Sequence, residues 1–441
     1  MVKSKKAEKN KKLRRAALLA VMAAAFLCLL SSCTTYNSFR QTFITPLGKD
    51  AQDSSSPSIV IGVIEPQTGR NADNGKDEIK GIDLANSIYN NVDGYRVELV
   101  KVDTQSSVKA TEAAIQGLIE MKPVAIIGSA GEASSLIISD YIDKAQIPTI
   151  TPSSTNPLIT QNNAYYFRAC LTESQMGEGL AEYAVNKLGS THIGVISIKN
   201  DTGTSALLDG FDEKIKALKG KRSKAIAATA EISPDKKEMK KALAAMKKKS
   251  VDVCLVPMGT EEMDTFFTLA ENEGMEDVIF LGTRSWGEQD FVNMMEKHPK
   301  IKVVFPYESV LSKTDDTSDT VTEEAQRFQI EYANRYGTDD IPADGAALGY
   351  DSYLLFVNAI YEAKSLEGPK IRSAMMDFDG LKCATGIFSF DRNGNVVRAV
   401  TLSTIKEGKP VTEYVTRSEA EAKQLDDIEQ ASDETAAGEG N

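Results

Sequence analysis

The 441-residue chain carries 51 Lys and Arg against 63 Asp and Glu, a formal net charge of −12, with 41% hydrophobic and 26% charged residues. That balance excludes a disordered or fibrous protein, and the length suits two or three domain-sized cores. Its acidity excludes a nucleic-acid binder, which needs basic stripes to displace phosphate counterions, and two histidines, His192 and His298, exclude a His-built metal site.

The charge is unevenly placed. Residues 1–32 hold eight bases and one acid, so the remainder has 43 bases against 62 acids. Lys3 to Arg15 form a basic region, and Ala16 to Leu30 follow without a charge. Fifteen residues are too few to span a hydrocarbon core, which needs about 20, but they suit the apolar part of a signal peptide. The stretch ends in Leu30-Ser31-Ser32-Cys33, which resembles the lipobox of bacterial lipoproteins. That resemblance implies cleavage before Cys33, acylation of its thiol and a lipid anchor on the extracytoplasmic face of the bacterial cell membrane. Two or more acyl chains anchor stably where one is marginal. Residues 1–32 are therefore expected to be a signal peptide and 33–57, polar and without sustained period, a tether. Residues 416–441 form an acidic tail that is expected to be disordered.

Between tether and tail, short β-branched runs alternate with helical segments. The runs stand at Ser58–Ile64, Tyr95–Val102, Val124–Ile127, Ile147–Thr151, His192–Ile198, Ala225–Ile232, Val251–Val256 and Val278–Leu281. In Val108–Met121, residues Ala114, Ile115, Leu118 and Ile119 share one helical face. Strand, helix, strand repeated in this way predicts parallel sheets with crossover helices. Runs apolar throughout, such as Val124–Ile127, suit strands covered on both faces. So many units exceed one sheet, so an α/β protein of two similar lobes is expected, with the chain crossing between them more than once. Cys170, Cys254 and Cys383 permit at most one disulfide, and Cys254, in an apolar run, is expected to be a buried thiol.

Several motifs in order resemble type I periplasmic binding proteins of the leucine/isoleucine/valine-binding branch. They are Ile61–Gly69, Leu99–Asp103, Ile126-Ile127-Gly128, Ile147–Thr155, Tyr166-Phe167-Arg168, Tyr350-Asp351 and Gly386–Asp391 with Asn393-Gly394. The resemblance implies two Rossmann-like lobes joined by three hinge crossings, with a small ligand held in the cleft between them. Residues 58–172 plus 307–382 would form lobe 1, and 173–306 plus 383–415 lobe 2. It implies a monomeric substrate-binding lipoprotein that takes an amino acid or related polar molecule and hands it to an ABC permease. A membrane-anchored sensor of the same fold, coupled to a signalling partner, is the alternative. No cofactor is implied.

By the same resemblance, Ser153 and Thr155 in the Pro152–Thr155 turn grip the ligand's carboxylate and ammonium. Converging N–H groups and a hydroxyl make that reasonable. Other family positions depart: a carboxylate-binding serine falls at Glu132, with Ser134 two residues on, a wall tyrosine at Thr202, the first-lobe aromatic at Asn74, and the ammonium-binding acid at Arg284. Trp286, the one tryptophan, is expected to face the cleft. Glu132 and Arg284 either pair across the cleft, or Arg284 forks onto a ligand carboxylate while Glu132 takes a cation. A register slip would instead bring Ser134 and Ser285 to the ligand. Nothing in the chain suggests an enzyme: phosphate-loop, H-E-x-x-H and paired C-x-x-C motifs are all missing, and no nucleophile–base pair is visible.

Overall fold

The computed structural model describes residues 57–416 apart from 202, 221–223, 309–321, 339 and 341. The signal segment, Cys33, most of the tether, the acidic tail beyond 416 and Thr202 lie outside the described residues. Two open sheets organise the rest. The first is built from β1 (Ser58–Glu65), β2 (Asn91–Val92), β3 (Tyr95–Asp103), β4 (Ala125–Ile127), β5 (Thr149–Thr151) and β6 (Tyr166–Arg168), in the order β2-β3-β1-β4-β5-β6. The pairs β1–β4, β4–β5 and β5–β6 are parallel. These strands read as unbroken apolar runs because helices cover both faces: Ala125, Ile126 and Ile127 are all fully buried. The crossovers are α1 (Ala72–Ile88), α2 (Val108–Glu120) and α3 (Glu132–Ala145). In α2, Thr111, Ile115 and Leu118 recur at helical spacing and face the sheet, with Ala114 and Ile119 packed beside them.

The second sheet repeats the plan with β7 (Ile193–Ile198), β8 (Ile226–Ile232), β9 (Val253–Leu255), β10 (Ile279–Leu281) and β11 (Lys302–Pro306), all parallel, and two antiparallel strands at its edge, β15 (Thr401–Lys406) and β16 (Lys409–Val415). Its order is β16-β15-β11-β10-β9-β7-β8. Helices α4 (Glu173–Glu182), α5 (Ser205–Lys219), α6 (Lys236–Lys248), α7 (Thr260–Asn272) and α8 (Gln289–Met295) accompany it.

After β11 come α9 (Glu323–Tyr336), α10 (Asp344–Ala363) and α11 (Gly368–Met376). A three-stranded antiparallel sheet of β12 (Asp379–Cys383), β13 (Gly386–Phe390) and β14 (Val396–Val397) follows. Asn393-Gly394 makes the β13–β14 turn, with the Asp391 carboxylate accepting the N–H groups of Asn393 and Asn395 at 2.8 Å. Helix α10 lies against α1 so closely that a Cβ on Gly81 would fall 1.7 Å from the Ala346 carbonyl oxygen. That approach fixes α1, which carries much of the site. The three described cysteines are buried free thiols.

Candidate functional site

Open parallel sheets bind ligands beyond the C-terminal ends of their strands, and a cleft of about 620 Å³ opens there. Three segments build it. Strand β1 ends at Glu65, and the chain turns through Pro66–Asn71 into α1, which sets Asp73, Asn74, Asp77 and Glu78 along the cleft. Strand β5 ends at Thr151 and its turn presents Ser153. Strand β10 ends at Leu281, and the helical turn Arg284–Gly287 presents Arg284.

The Ser153 turn is braced from behind. Arg168, fully buried on β6, donates to the carbonyls of Ser154 at 3.0 Å and Asn156 at 2.6 Å. The hydroxyls of Thr151 and Ser154 donate to the Ser129 carbonyl at 3.0 and 2.8 Å. Ser153 Oγ, held in place, makes a short hydrogen bond to Glu78 Oε1. From the other side Arg284 Nη2 reaches the Ser153 carbonyl at 3.5 Å, a long contact. Its Nη1 is shielded from solvent and has no hydrogen-bond partner.

Glu78 is fully buried, as is Glu65. Glu65 Oε2 accepts the Ala130 N–H at 2.7 Å, which leaves Glu65 Oε1 and Glu78 Oε2 without a donor. Burial favours the protonated form at both positions, and adjacent like charges resist ionising together. Burial pushes Glu78 up to about 7, while the hydrogen bonds from Glu65 and Ser153 and the charge of Arg284 pull it back. Burial and the neighbouring Glu78 charge push Glu65 well above the usual carboxylate range. Burial alone would lower the Arg284 guanidinium, but Glu173, Asp344 and Glu308 raise it. Cys170 adds nothing at neutral pH, since burial pushes its thiol up to about 12. Arg284 is thus a permanent cation with an open donor, facing an acid that carries a removable proton.

Of the residues expected from the sequence, Asn74, Ser153 and Arg284 meet in this cleft. Thr155 is half-buried in the same turn but is not among the lining residues. Glu132 is exposed in the first turn of α3, and Ser134 is buried against Thr111, the two hydroxyls 2.9 Å apart. Neither lines the cleft. Trp286 turns into the core of the second sheet, stacked on Phe291 at 4.8 Å, with its indole N–H donated to the Met258 carbonyl at 2.9 Å. The sequence reading passed over Glu78. Its signal was an acid on the inward stripe of α1, in line with Gly75, Ile82 and Ala85, where an amphipathic helix ordinarily carries apolar residues. Among the described residues no group of His, Cys, Asp and Glu is arranged to hold a metal ion.

The sequence pattern of the periplasmic binding protein family matches residues 58–410. The chain belongs to that family, in its type I, leucine/isoleucine/valine-binding-like branch, and its two lobes are those of the family fold. Over 165 residues it is 33% identical to an amino acid binding protein of Pseudomonas aeruginosa, a match covering 36% of this chain and 44% of that protein. The chain thus spans less than half the length of the curated relatives it first matches. The leucine-binding protein LivK of Thermotoga maritima is 25% identical, covering 81% of this chain and 99% of that one, with a TM-score of 0.64. A solute-binding protein of an ABC transporter from R. palustris, in complex with benzoate, shares the fold at 20% identity and a TM-score of 0.60, covering 82% and 97% of the two chains.

Proposed function

We propose that this protein is an extracytoplasmic solute-binding lipoprotein, anchored through acyl chains on Cys33, that captures an amino acid between its lobes and delivers it to an ABC permease. The observation that carries the reading is Arg284, whose shielded Nη1 lacks a partner beside the Ser153 turn in a cleft of about 620 Å³. A planar guanidinium matches a carboxylate in two parallel bonds. Ser153 and the dissociable Glu78 stand where a ligand ammonium would lie. The similarity to an amino acid binding protein and to a leucine-binding protein supports the same class. The basic and apolar segments ending at Cys33 support the anchor. The protein acts as a monomer and without a cofactor in this reading.

Calorimetric titration with L-amino acids tests it. Binding is expected in the wild type, with Arg284→Ala weakening it by roughly 2–5 kcal/mol. Affinity unchanged by Arg284→Ala would overturn the assignment. For the anchor, Cys33→Ala is expected to move the protein from the membrane pellet to the soluble fraction, and a processed variant that stays in the pellet would contradict acylation at Cys33.

A further inference from the structure

The charge of the chain is segregated. Residues 214–249 hold thirteen Lys and Arg against three Asp and Glu, in a chain whose net charge is −12. Helix α6 carries much of this excess. Its Met239, Ala242, Leu243 and Met246 are buried in the core of the second sheet, and its six lysines are all exposed. At 3.6 residues per turn those lysines fall into two stripes. Lys236, Lys240 and Lys247 flank the buried face, where Lys240 lies 3.8 Å from Glu273 and Lys247 donates to the Glu273 carbonyl. Lys237, Lys241 and Lys248 stand directly opposite the buried face, and no carboxylate among the described residues pairs with them. A merely solvated helix face gains from opposite charges one turn apart. Lys236–Lys240 and Lys237–Lys241 instead set like charges at that spacing, which destabilises a helix by itself. Local costs of that kind are expected where a surface has work to do.

We propose that the outer face of α6 docks on anionic phospholipid headgroups, so that the protein lies with this helix toward the membrane. A single acyl chain anchors marginally, and a lysine patch is the kind of second signal that makes attachment firm. Lysine suits a headgroup layer, because its ammonium is a compact charge on a flexible stem and needs no fixed partner geometry. The acidic remainder of the chain does not prevent the approach. Its repulsion is screened beyond a Debye length of about 8 Å at physiological ionic strength, so the face nearest the surface decides. The chain's own acidic tail fits the patch less well. It leaves from β16, at the opposite edge of the sheet from β8, the strand that leads into α6.

The test is co-sedimentation of the full-chain Cys33→Ala protein, which cannot be acylated at that residue, with vesicles of mixed phosphatidylglycerol and phosphatidylcholine or of phosphatidylcholine alone. It is run at low and high salt, and repeated with Lys237→Glu/Lys241→Glu/Lys248→Glu added. Sedimentation is expected with the anionic vesicles at low salt and should vanish with neutral vesicles or at high salt. It should weaken at least about tenfold in the lysine variant, whose circular dichroism is expected to match that of its parent. No sedimentation with anionic vesicles at low salt, equal sedimentation with neutral ones, or an undiminished lysine variant overturns the inference. Capture of soluble polyglutamate without capture by vesicles would assign the face to an acidic protein segment, and overturns it likewise. Acylation at Cys33 is read separately, by the fractionation above, so either reading can fail alone.

Discussion

Glu78 occupies a helix position whose neighbours along the stripe are Gly75, Ile82 and Ala85, and its carboxyl is fully buried. An isolated carboxylate there would be strongly disfavoured, and burial accordingly pushes the group toward its protonated form. The charged and polar groups acting on Glu78 are Glu65 from β1, Asp77 from its own helix, Ser153 from the β5 turn and Arg284 from the β10 turn. Its folded value, about 7, lies above its ordinary one. The native state therefore holds a proton that the unfolded chain releases, and this stabilisation, complete below about pH 4.5, is lost as pH rises through about 7. Thermal unfolding followed from pH 5 to pH 8 is expected to show a falling midpoint, with a shallower fall in Glu78→Gln. Superimposable pH profiles for the two proteins would contradict a raised Glu78 carboxyl. Ligand binding draws on the same proton: titration of the amino acid bound most tightly, at pH 6 in buffers of different ionisation enthalpy, should reveal proton release, and its absence would place the ligand's ammonium away from Glu78.

At the scale of elements, the alternation of apolar runs and helical segments was sufficient to locate the central strands, because burial on both faces leaves no polar residue to blur a run such as Ala125–Ile127. The three-stranded sheet was not legible in this way. Strand β12, Asp-Gly-Leu-Lys-Cys, is exposed or half-buried over four of its five residues and carries no apolar run. Nor could sequence decide which way Trp286 turns. The loop after β10 was placed correctly at the strand end, but the stacking partner that draws the indole inward, Phe291, belongs to α8, which returns against the sheet. With its N–H satisfied by Met258, Trp286 should resist aqueous quenchers and change little on ligand addition. Strong quenching by iodide in the native protein would contradict that burial. The α1–α10 contact gives a sharper test. Gly81→Ala puts a methyl where only 1.7 Å is available to the Ala346 carbonyl. Forcing the helices apart is expected to destabilise the protein by about 1–3 kcal/mol and to weaken ligand binding, since Glu78 rides on α1. Wild-type stability and affinity in that variant would show that α10 does not position the site.

At the scale of the whole molecule, the segments that leave the second sheet are tied by a buried ion pair. Glu308 follows β11 and Arg398 precedes β15, both 1% exposed in their side chains. Arg398 also donates to the Thr385 carbonyl at 2.8 Å. The Ala384 and Thr385 N–H groups donate to Asp351 on α10 at 2.7 and 2.8 Å. Removing one partner of a buried pair leaves the other charge uncompensated, so Arg398→Ala should destabilise by about 3–5 kcal/mol, read by chemical denaturation. A loss below 1 kcal/mol would mean that the pair is solvated in solution. Only the family resemblance made the cleft legible from sequence. It pointed to Ser153 and Arg284, whose strand-end turns bring them to the cleft, and also to Glu132, which lies outside the cleft lining because it is exposed in the first turn of α3, a position that spacing alone does not tell from a buried one. The most direct measurement is a crystal structure of the protein saturated with the amino acid it binds most tightly. The account predicts the ligand in the cleft, its carboxylate in two hydrogen bonds to Arg284, and the Arg284–Ser153 contact replaced by contacts to the ligand. A ligand whose carboxylate lies on other groups, with Arg284 still on the Ser153 carbonyl, would contradict it.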